Sequence, residues 1–193
     1  NKIYSNVISN NSGIGIHVSG TSKGNSVGDS DKGNTISSNG YGVSFLVNTE
    51  IGNPVIGNTI FDNPNGSIGQ YSKIQKLASP TLYSAYVNSS NDSLMINHSG
   101  ISETSSENFL VDIFSNSSSP AIPQGENIIK SKLSITSDDL STKTLAIPYT
   151  GSSNVFISTT FTDDRLVTSE FSNVVQLLPE TSSPSASYSF LSL

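Results

Sequence analysis

The pattern Asn-x-Ile-x-x-Asn occurs four times near the start of the chain, at 1–6, 6–11, 34–39 and 58–63. A Gly-apolar step follows the last three copies, as Gly13-Ile14, Gly42-Val43 and the degenerate Ser67-Ile68. From Ile8 to Ile36 the step is 28, and from Ile36 to Ile60 it is 24. The second marker gives 29 and then 25. Two independent markers therefore share one period near 24, with a surplus of four or five between the first two copies. The surplus falls in 19–33, which is rich in Gly, Ser and Asp.

A period in the low twenties, carried by short β-type segments, specifies a chain that winds on itself coil by coil. Each brief strand points one apolar residue inward, so Ile8, Ile36 and Ile60 are expected to stack as an internal ladder. Ile14, Val43 and Ile68 are expected to form a second, and Ile3, Val27 and Val55 a third. The Asn residues suit the corners, because Asn tolerates left-handed backbone angles. The amides of Asn6, Asn34 and Asn58 can bond the same residue one coil on. This pattern resembles the right-handed parallel β-helix repeat family, whose coils read N-x-I-x-x-N-x-x-x-G-I. The resemblance covers residues 1–68, about two and a half coils. So few coils rarely stand alone. The chain opens at Asn1 in mid-pattern, with no starting Met or signal peptide, so further coils are expected before it.

Composition shifts near residue 79. Residues 1–69 hold 12 of the 15 Gly, and residues 1–66 hold 12 of the 20 Asn. The span 1–78 carries a net charge of +1 and the span 79–193 one of −7. The segment 70–79 has little alternation and ends before Pro80, which reads as cap and linker. After Pro80 come seven short alternating runs, at 81–87, 93–98, 108–114, 128–136, 144–149, 154–162 and 173–178. Such spacing fits an antiparallel sandwich of the immunoglobulin or fibronectin kind. Its inward residues are expected to be Leu94, Ile96, Phe109, Val111, Ile113, Leu133, Ile135, Leu145, Ile147, Val155, Ile157, Phe171 and Val174. The run 155–163 followed by Thr168-Ser-Glu-Phe-Ser172 resembles the last hairpin of bacterial surface sandwich domains. Asp164-Arg-Leu-Val167 stands where that family has a Gly-Asn turn. In that family such domains follow β-helix repeats in large secreted proteins. The expected fold class is thus all-β: coils of a right-handed parallel β-helix over 1–69, a linker over 70–79, an Ig-like sandwich over 80–179 and a Ser/Pro-rich tail over 180–193.

Composition also excludes functions. Ser, Asn and Thr number 40, 20 and 15 of 193 residues, while charged residues make up 12%. This suits a β-rich extracellular or cell-surface protein solvated by hydroxyls and amides. Net charge is −6 with nine Lys and Arg, which gives no cationic face for nucleic acid. No apolar run approaches the ~18 residues of a membrane helix. With no Cys there is neither a disulfide scaffold nor a thiolate metal site.

Candidate sites are few. Asp29-Ser-Asp31-Lys-Gly33-Asn34 resembles half of a calcium loop, with Asp29, Asp31 and Asn34 as oxygen donors. Its Gly and Asn are exchanged and no Glu follows at the twelfth position, so a solvated turn is the competing reading. Asp138-Asp139 and Asp163-Asp164 read as turns. His17 and His98 are the only imidazoles, and no catalytic triad can be assembled around either by spacing. Alternation places His17 on the outer face of a coil. Arg165, the sole Arg, reads as an ion-pair partner of Asp163 or Asp164. The coil carboxylates Asp29, Asp31, Glu50 and Asp62 form no evident pair of the kind glycosidases use. Six Asn-x-Ser/Thr sequons, at Asn10, Asn65, Asn88, Asn91, Asn97 and Asn116, match the number chance gives. Leu178-Pro-Glu-Thr-Ser182 resembles a sortase signal with Ser in place of Gly. The tail reads better as a stalk, or as an added strand through Tyr188 to Leu193.

These readings lead to a non-enzymatic structural or adhesion fragment that contacts glycans or other surface proteins. The alternatives are the C-terminal part of a polysaccharide lyase or glycoside hydrolase, and a self-assembling filament subunit that exchanges strands. No cofactor is expected beyond calcium at the Asp29 loop.

Overall fold

The computed structural model describes residues 1–20, 23–46, 51–70, 77–88, 90, 92–99, 107–141 and 143–179. The fold is all-β. Asn91, Glu50, the tail 180–193 and most of the expected linker lie outside the described residues.

The first half winds through three circuits. The first contains β1 (Lys2–Ile3), β2 (Val7–Ser9) and β3 (Ile14–Val18), and the second β4 (Ser26–Val27), β5 (Thr35–Ser37) and β6 (Tyr41–Phe45). The third contains β7 (Thr59–Phe61) and β8 (Ile68–Gln70), with Val55 bridged to Val27 where a short strand would stand. Every pairing is parallel, in the orders β1-β4, β2-β5-β7 and β3-β6-β8. Ile8 pairs with Ile36 and Ile36 with Ile60. Ile3 pairs with Val27. These inward residues form one core with Val43, Phe45, Val55 and Ile68.

The second expected ladder is offset by two residues. Val43 pairs with Ile16, while Ile14 lies opposite Tyr41 and is 38% exposed. The Gly-apolar doublet that aligns with Gly42-Val43 is therefore Gly15-Ile16. Gly13-Ile14 has the same chemistry two residues earlier, on the same strand parity, so alternation alone could not separate them.

The corners differ from expectation in one respect. The left-handed residue is the one before the ladder Asn at every corner but Asn34: Ser5, Asn10, Ser38 and Asp62, with φ from 54° to 62°, and Gly24, Gly52 and Gly57. The ladder Asn itself is then free to use its amide. At Asn6, Asn11, Asn53, Asn58 and Asn63, Nδ2 donates to the carbonyl two residues back, closing the corner.

Three amide ladders cross the circuits. Asn34 Oδ1 accepts both the backbone N–H and Nδ2 of Asn6, each at 3.0 Å. Asn58 Oδ1 accepts the same pair from Asn34 at 2.9 and 2.8 Å. Asn11, Asn39 and Asn63 repeat the arrangement. So do Asn1, Asn25 and Asn53, a ladder that the Ile-centred pattern does not reveal. A backbone N–H can only donate, so it fixes which amide atom is the oxygen. Every ladder runs one way, from donors on the earlier coil to an oxygen on the later one. The sequence separation is 24 from Asn1 to Asn25 but 28 from Asn6 to Asn34. The surplus of the second circuit thus lies between Asn25 and Asn34, around Asp29 to Lys32.

The second half forms a curled seven-stranded sheet in the order β12-β11-β14-β15-β9-β10-β13. Its strands are β9 (Leu82–Asn88), β10 (Ser93–His98), β11 (Asn108–Asn116), β12 (Asn127–Thr136), β13 (Thr144–Pro148), β14 (Phe156–Asp163) and β15 (Val175–Leu178). All pairs are antiparallel except β15 with β9, where Leu177 meets Ala85 in parallel. The curl encloses Leu82, Leu94, Ile96, Phe109, Val111, Ile113, Leu145, Ile147, Ile157 and Phe161. Leu133 and Val155 pack at its edge, and Leu77, from the stretch read as linker, is buried in it. Phe171, expected in this core, belongs instead to the coil core. Asp138-Asp139, read as a turn, opens the five-residue helix α1 (Ser137–Ser141). There Asp139 accepts from the Thr136 N–H and hydroxyl.

Buried ladder amides are costly to remove, because each orphaned polar partner forfeits roughly 1–3 kcal/mol. Asn58→Ala, at a residue 2% exposed that makes bonds in three directions, is expected to lower urea-measured stability by about 2–4 kcal/mol. Asn6→Ala, on the exposed first coil, is expected to cost less than about 1 kcal/mol. Equal losses would contradict the ladder account.

Candidate functional site: the closed end of the coils

A stack of parallel coils leaves a row of unpaired N–H and C=O groups at its last circuit, and a core with no floor. In this chain the second half meets both needs. At the Asn58 corner, the Gly57 N–H donates to Asp112 Oδ2 at 2.5 Å. At the Asn63 corner, the Asp62 N–H donates to Gln124 Oε1 at 3.0 Å. Near the Asn53 corner, the Val55 N–H donates to Thr168 Oγ1 at 3.0 Å. A carboxylate, an amide and a hydroxyl thus take the place of the oxygens that a fourth coil would present.

Between these corners, Ile60 and Gly125 exchange two backbone bonds, of 2.8 and 2.9 Å, as an antiparallel bridge. Phe114 and Phe171, with ring centroids 5.1 Å apart, close the coil core from below. A Cβ on Gly125 would collide with the Phe114 ring and lie 2.8 Å from Phe171, so only glycine lets backbone and rings meet here. Gly57 is restricted in the same way, with φ +67° and the Asp29 carbonyl oxygen where its Cβ would sit. Ser67 Oγ donates to Pro123 O, and the Gly52 N–H to Arg165 O.

Local geometry explains how Asp112 comes to point at the coils. The pairing of β11 with β12 shifts register between Val111 and Ile113. Opposite the shift, Lys132 takes a left-handed φ of 51°. Its N–H and the Ser131 hydroxyl then donate to Asp112 Oδ1 at 2.9 and 2.7 Å. Asp112 is 4% exposed. Burial pushes its carboxyl above the ordinary range, outweighing the three donors that favour the charge. The Lys132 ammonium turns the other way and pairs with Asp29. That pairing, with the Ser30 N–H, holds Asp29 below the ordinary range. The surplus residues of the second coil are in this way tied to the sheet that closes the third.

The loop read as a calcium half-site is arranged around these contacts. Asp29 faces Lys132, Asp31 is exposed, and Asn34 is 2% exposed with its oxygen on Asn6 and its nitrogen on Asn58 and Ile3 O. Among the described residues, no group of three or more His, Cys, Asp or Glu gathers.

His17 is exposed on the first coil. His98 is buried against Phe161 in the sheet core, and burial pushes its imidazole down. Asp163, 1% exposed, receives the Arg165 guanidinium and the Val167 N–H. Asp62 is used through its backbone. Beside the junction lies a cleft of about 320 Å³ lined by Tyr41, Asn65, Gly66, Ile122, Pro123 and Glu170.

Of the residues that close the coils, sequence reasoning had marked only Phe171 as buried, and in the wrong core. Asp112 and Gln124 sit singly in ordinary strand and turn contexts, without a repeat to expose them. Asp112 alone carried a signal, as a carboxylate between apolar residues of one run.

No protein-family model matches the chain, and no curated protein is recognisably similar to it in sequence.

Removing Asp112 tests the closure. Asp112→Ala is expected to destabilise by about 2–4 kcal/mol, since it strands the Gly57, Ser131 and Lys132 donors. The pH dependence has a definite sign. A carboxyl whose native pKa is raised contributes stability below its unfolded value, near 3.8, and loses it as pH rises through the native value. The stability difference between wild type and Asp112→Asn should therefore shrink as pH rises from about 4, a comparison in which Asp29 cancels. A difference that grows over that range would contradict the assignment.

Proposed function

We propose that this chain is the closing end of a right-handed parallel β-helix, sealed by an immunoglobulin-like sandwich, in a secreted or cell-surface protein. Its role is structural or adhesive, not enzymatic. The observation that carries the reading is the answering of coil N–H groups at three corners by Asp112, Gln124 and Thr168. An exposed last coil is a template for further pairing, and a domain built to satisfy its donors ends that growth. The parallel registers of the coils support the β-helix reading. The pairing of β9 with both β10 and β15 supports the sandwich reading. Low charge and abundant hydroxyl and amide side chains suit an extracellular surface.

Glycan contact is a second reading, favoured by the cleft at the junction. Clefts between packed units are common ligand sites, and Tyr41 offers an aromatic face beside the amide of Asn65 and the carboxylate of Glu170. Binding of soluble oligosaccharides that is lost in Tyr41→Ala would establish it.

The non-enzymatic reading is tested by incubating the purified chain with neutral and acidic polysaccharides. No new reducing ends and no unsaturated products are expected. Turnover that survives repurification would overturn it. The closing role is tested separately with Phe114→Ser. Opening the floor of the core is expected to produce concentration-dependent assembly in light scattering, and a folded monomer would contradict it.

A further inference from the structure

The dipeptide Asn-Gly occurs twice in the chain, at Asn39-Gly40 and Asn65-Gly66. It is chemically labile, because a glycine has no Cβ to shield its backbone nitrogen from the side-chain carbonyl carbon just before it. As text the two copies are equal. The fold treats them in opposite ways.

Asn39 is 1% exposed and its amide belongs to a ladder. Its Oδ1 accepts from the Asn11 N–H and Nδ2, and its Nδ2 donates to Ile8 O and Asn63 Oδ1. The Gly40 N–H donates to Asn11 O, and the Ser12 carbonyl oxygen lies 2.6 Å from where a Gly40 Cβ would stand. Neither reacting atom can move without opening the contact between coils. Asn65 is exposed, in the turn formed by Asn63, Pro64, Asn65 and Gly66. Its side-chain amide makes no hydrogen bond among the described residues. The Gly66 N–H is held by one bond of 3.1 Å to Asn63 O, across that turn.

We propose that Asn65 is a site of spontaneous deamidation, and that the amide ladder withholds Asn39 from the same reaction. The Gly66 nitrogen gives its proton to hydroxide and bonds to Asn65 Cγ. The Cγ–Nδ2 bond breaks, and Nδ2 leaves as ammonia with a proton from water, which restores the hydroxide. One water then opens the five-membered imide. Opening at Cγ gives an aspartyl residue, and opening at the backbone carbonyl gives an isoaspartyl residue whose main chain runs through Cβ and Cγ. In sum, water enters and ammonia leaves, with nothing oxidised or reduced.

The reaction changes the junction. Asn65 lines the cleft that also holds Tyr41, Pro123 and Glu170, so either product places a second carboxylate there. The isoaspartyl product also moves the backbone. The Asn65 N–H donates to Gly40 O, and Gly66 O accepts from the Gly42 N–H. One extra main-chain carbon between these anchors draws Gly66 O away from Gly42. The inference stands on the ladder and the turn, independently of the closing and glycan-binding roles.

The test ages the folded chain at mildly alkaline pH. Both sites are followed by peptide mass spectrometry after digestion at acid pH, with isoaspartyl methyltransferase labelling as the second readout. Asn65 is expected to convert at least tenfold faster than Asn39. In urea, where the ladder is gone, the two are expected to convert at matching rates. Asn65→Gln keeps the amide but needs a less favourable six-membered ring. It is expected to abolish most of the isoaspartyl label, and to prevent the faster hydrogen exchange of Gly42 that ageing produces in the wild type. Equal rates at Asn39 and Asn65 in the folded chain would overturn the proposal. So would a folded-state rate at Asn65 below a tenth of its rate in urea, or an undiminished label in Asn65→Gln.

Discussion

The structure depends on one repeated bond pair: a corner Asn oxygen that accepts the backbone N–H and the Nδ2 of the Asn one coil before. It satisfies donors that a sharp corner would otherwise leave unpaired in a buried place. It also fixes the register of the strands on both sides. Once Asn6, Asn34 and Asn58 are aligned, Ile8, Ile36 and Ile60 have only one way to stack. The left-handed residue before most ladder Asn is part of the same device, because it turns the carbonyl two residues back toward the amide.

A directional ladder makes the two ends of the stack unlike. The corner amides offer oxygens toward the earlier end and donors toward the later end. Side chains of three different types close the later end by accepting from the backbone N–H groups of Val55, Gly57 and Asp62, beside the ladder Asn residues. Asp112 is the most demanding, since a buried carboxylate is stabilised only where several donors converge. The register shift against β12 and the left-handed Lys132 supply two of them, and Gly57 supplies the third. The sheet core and the coil core remain separate clusters, with Phe114 and Phe171 crossing from one half of the chain into the other.

Much of the local order was legible in the sequence because it is written in repeats and alternation. The spacings from Ile8 to Ile36 and from Ile36 to Ile60 are those of the paired strands. The seven alternating runs after Pro80 fall within two residues of strands β9 to β15. What was not legible arises where no repeat exists. Gly13-Ile14 and Gly15-Ile16 are equivalent as text, and only the pairing with β6 chooses between them. The ladder of Asn1, Asn25 and Asn53 has no Ile at the expected offset after its last two members, so a pattern centred on Ile passes over it. Asp112, Gln124 and Thr168 come from distant strands and loops, and their meeting with the third coil is a tertiary event. At the Asp29 loop, whose spacing is that of oxygen donors, Asn34 is drawn inward by the ladder and Asp29 faces Lys132, contacts that spacing alone does not show.

The claim that side chains of the second half stand in for a missing coil is tested most directly by native-state hydrogen exchange at Val55, Gly57, Ile60 and Asp62. These four N–H groups are bonded to Thr168, Asp112, Gly125 and Gln124. All four are predicted to exchange only through global unfolding, with the same free energy as the β14 core. Exchange of these amides at rates typical of an exposed strand edge, while β14 stays protected, would contradict the account.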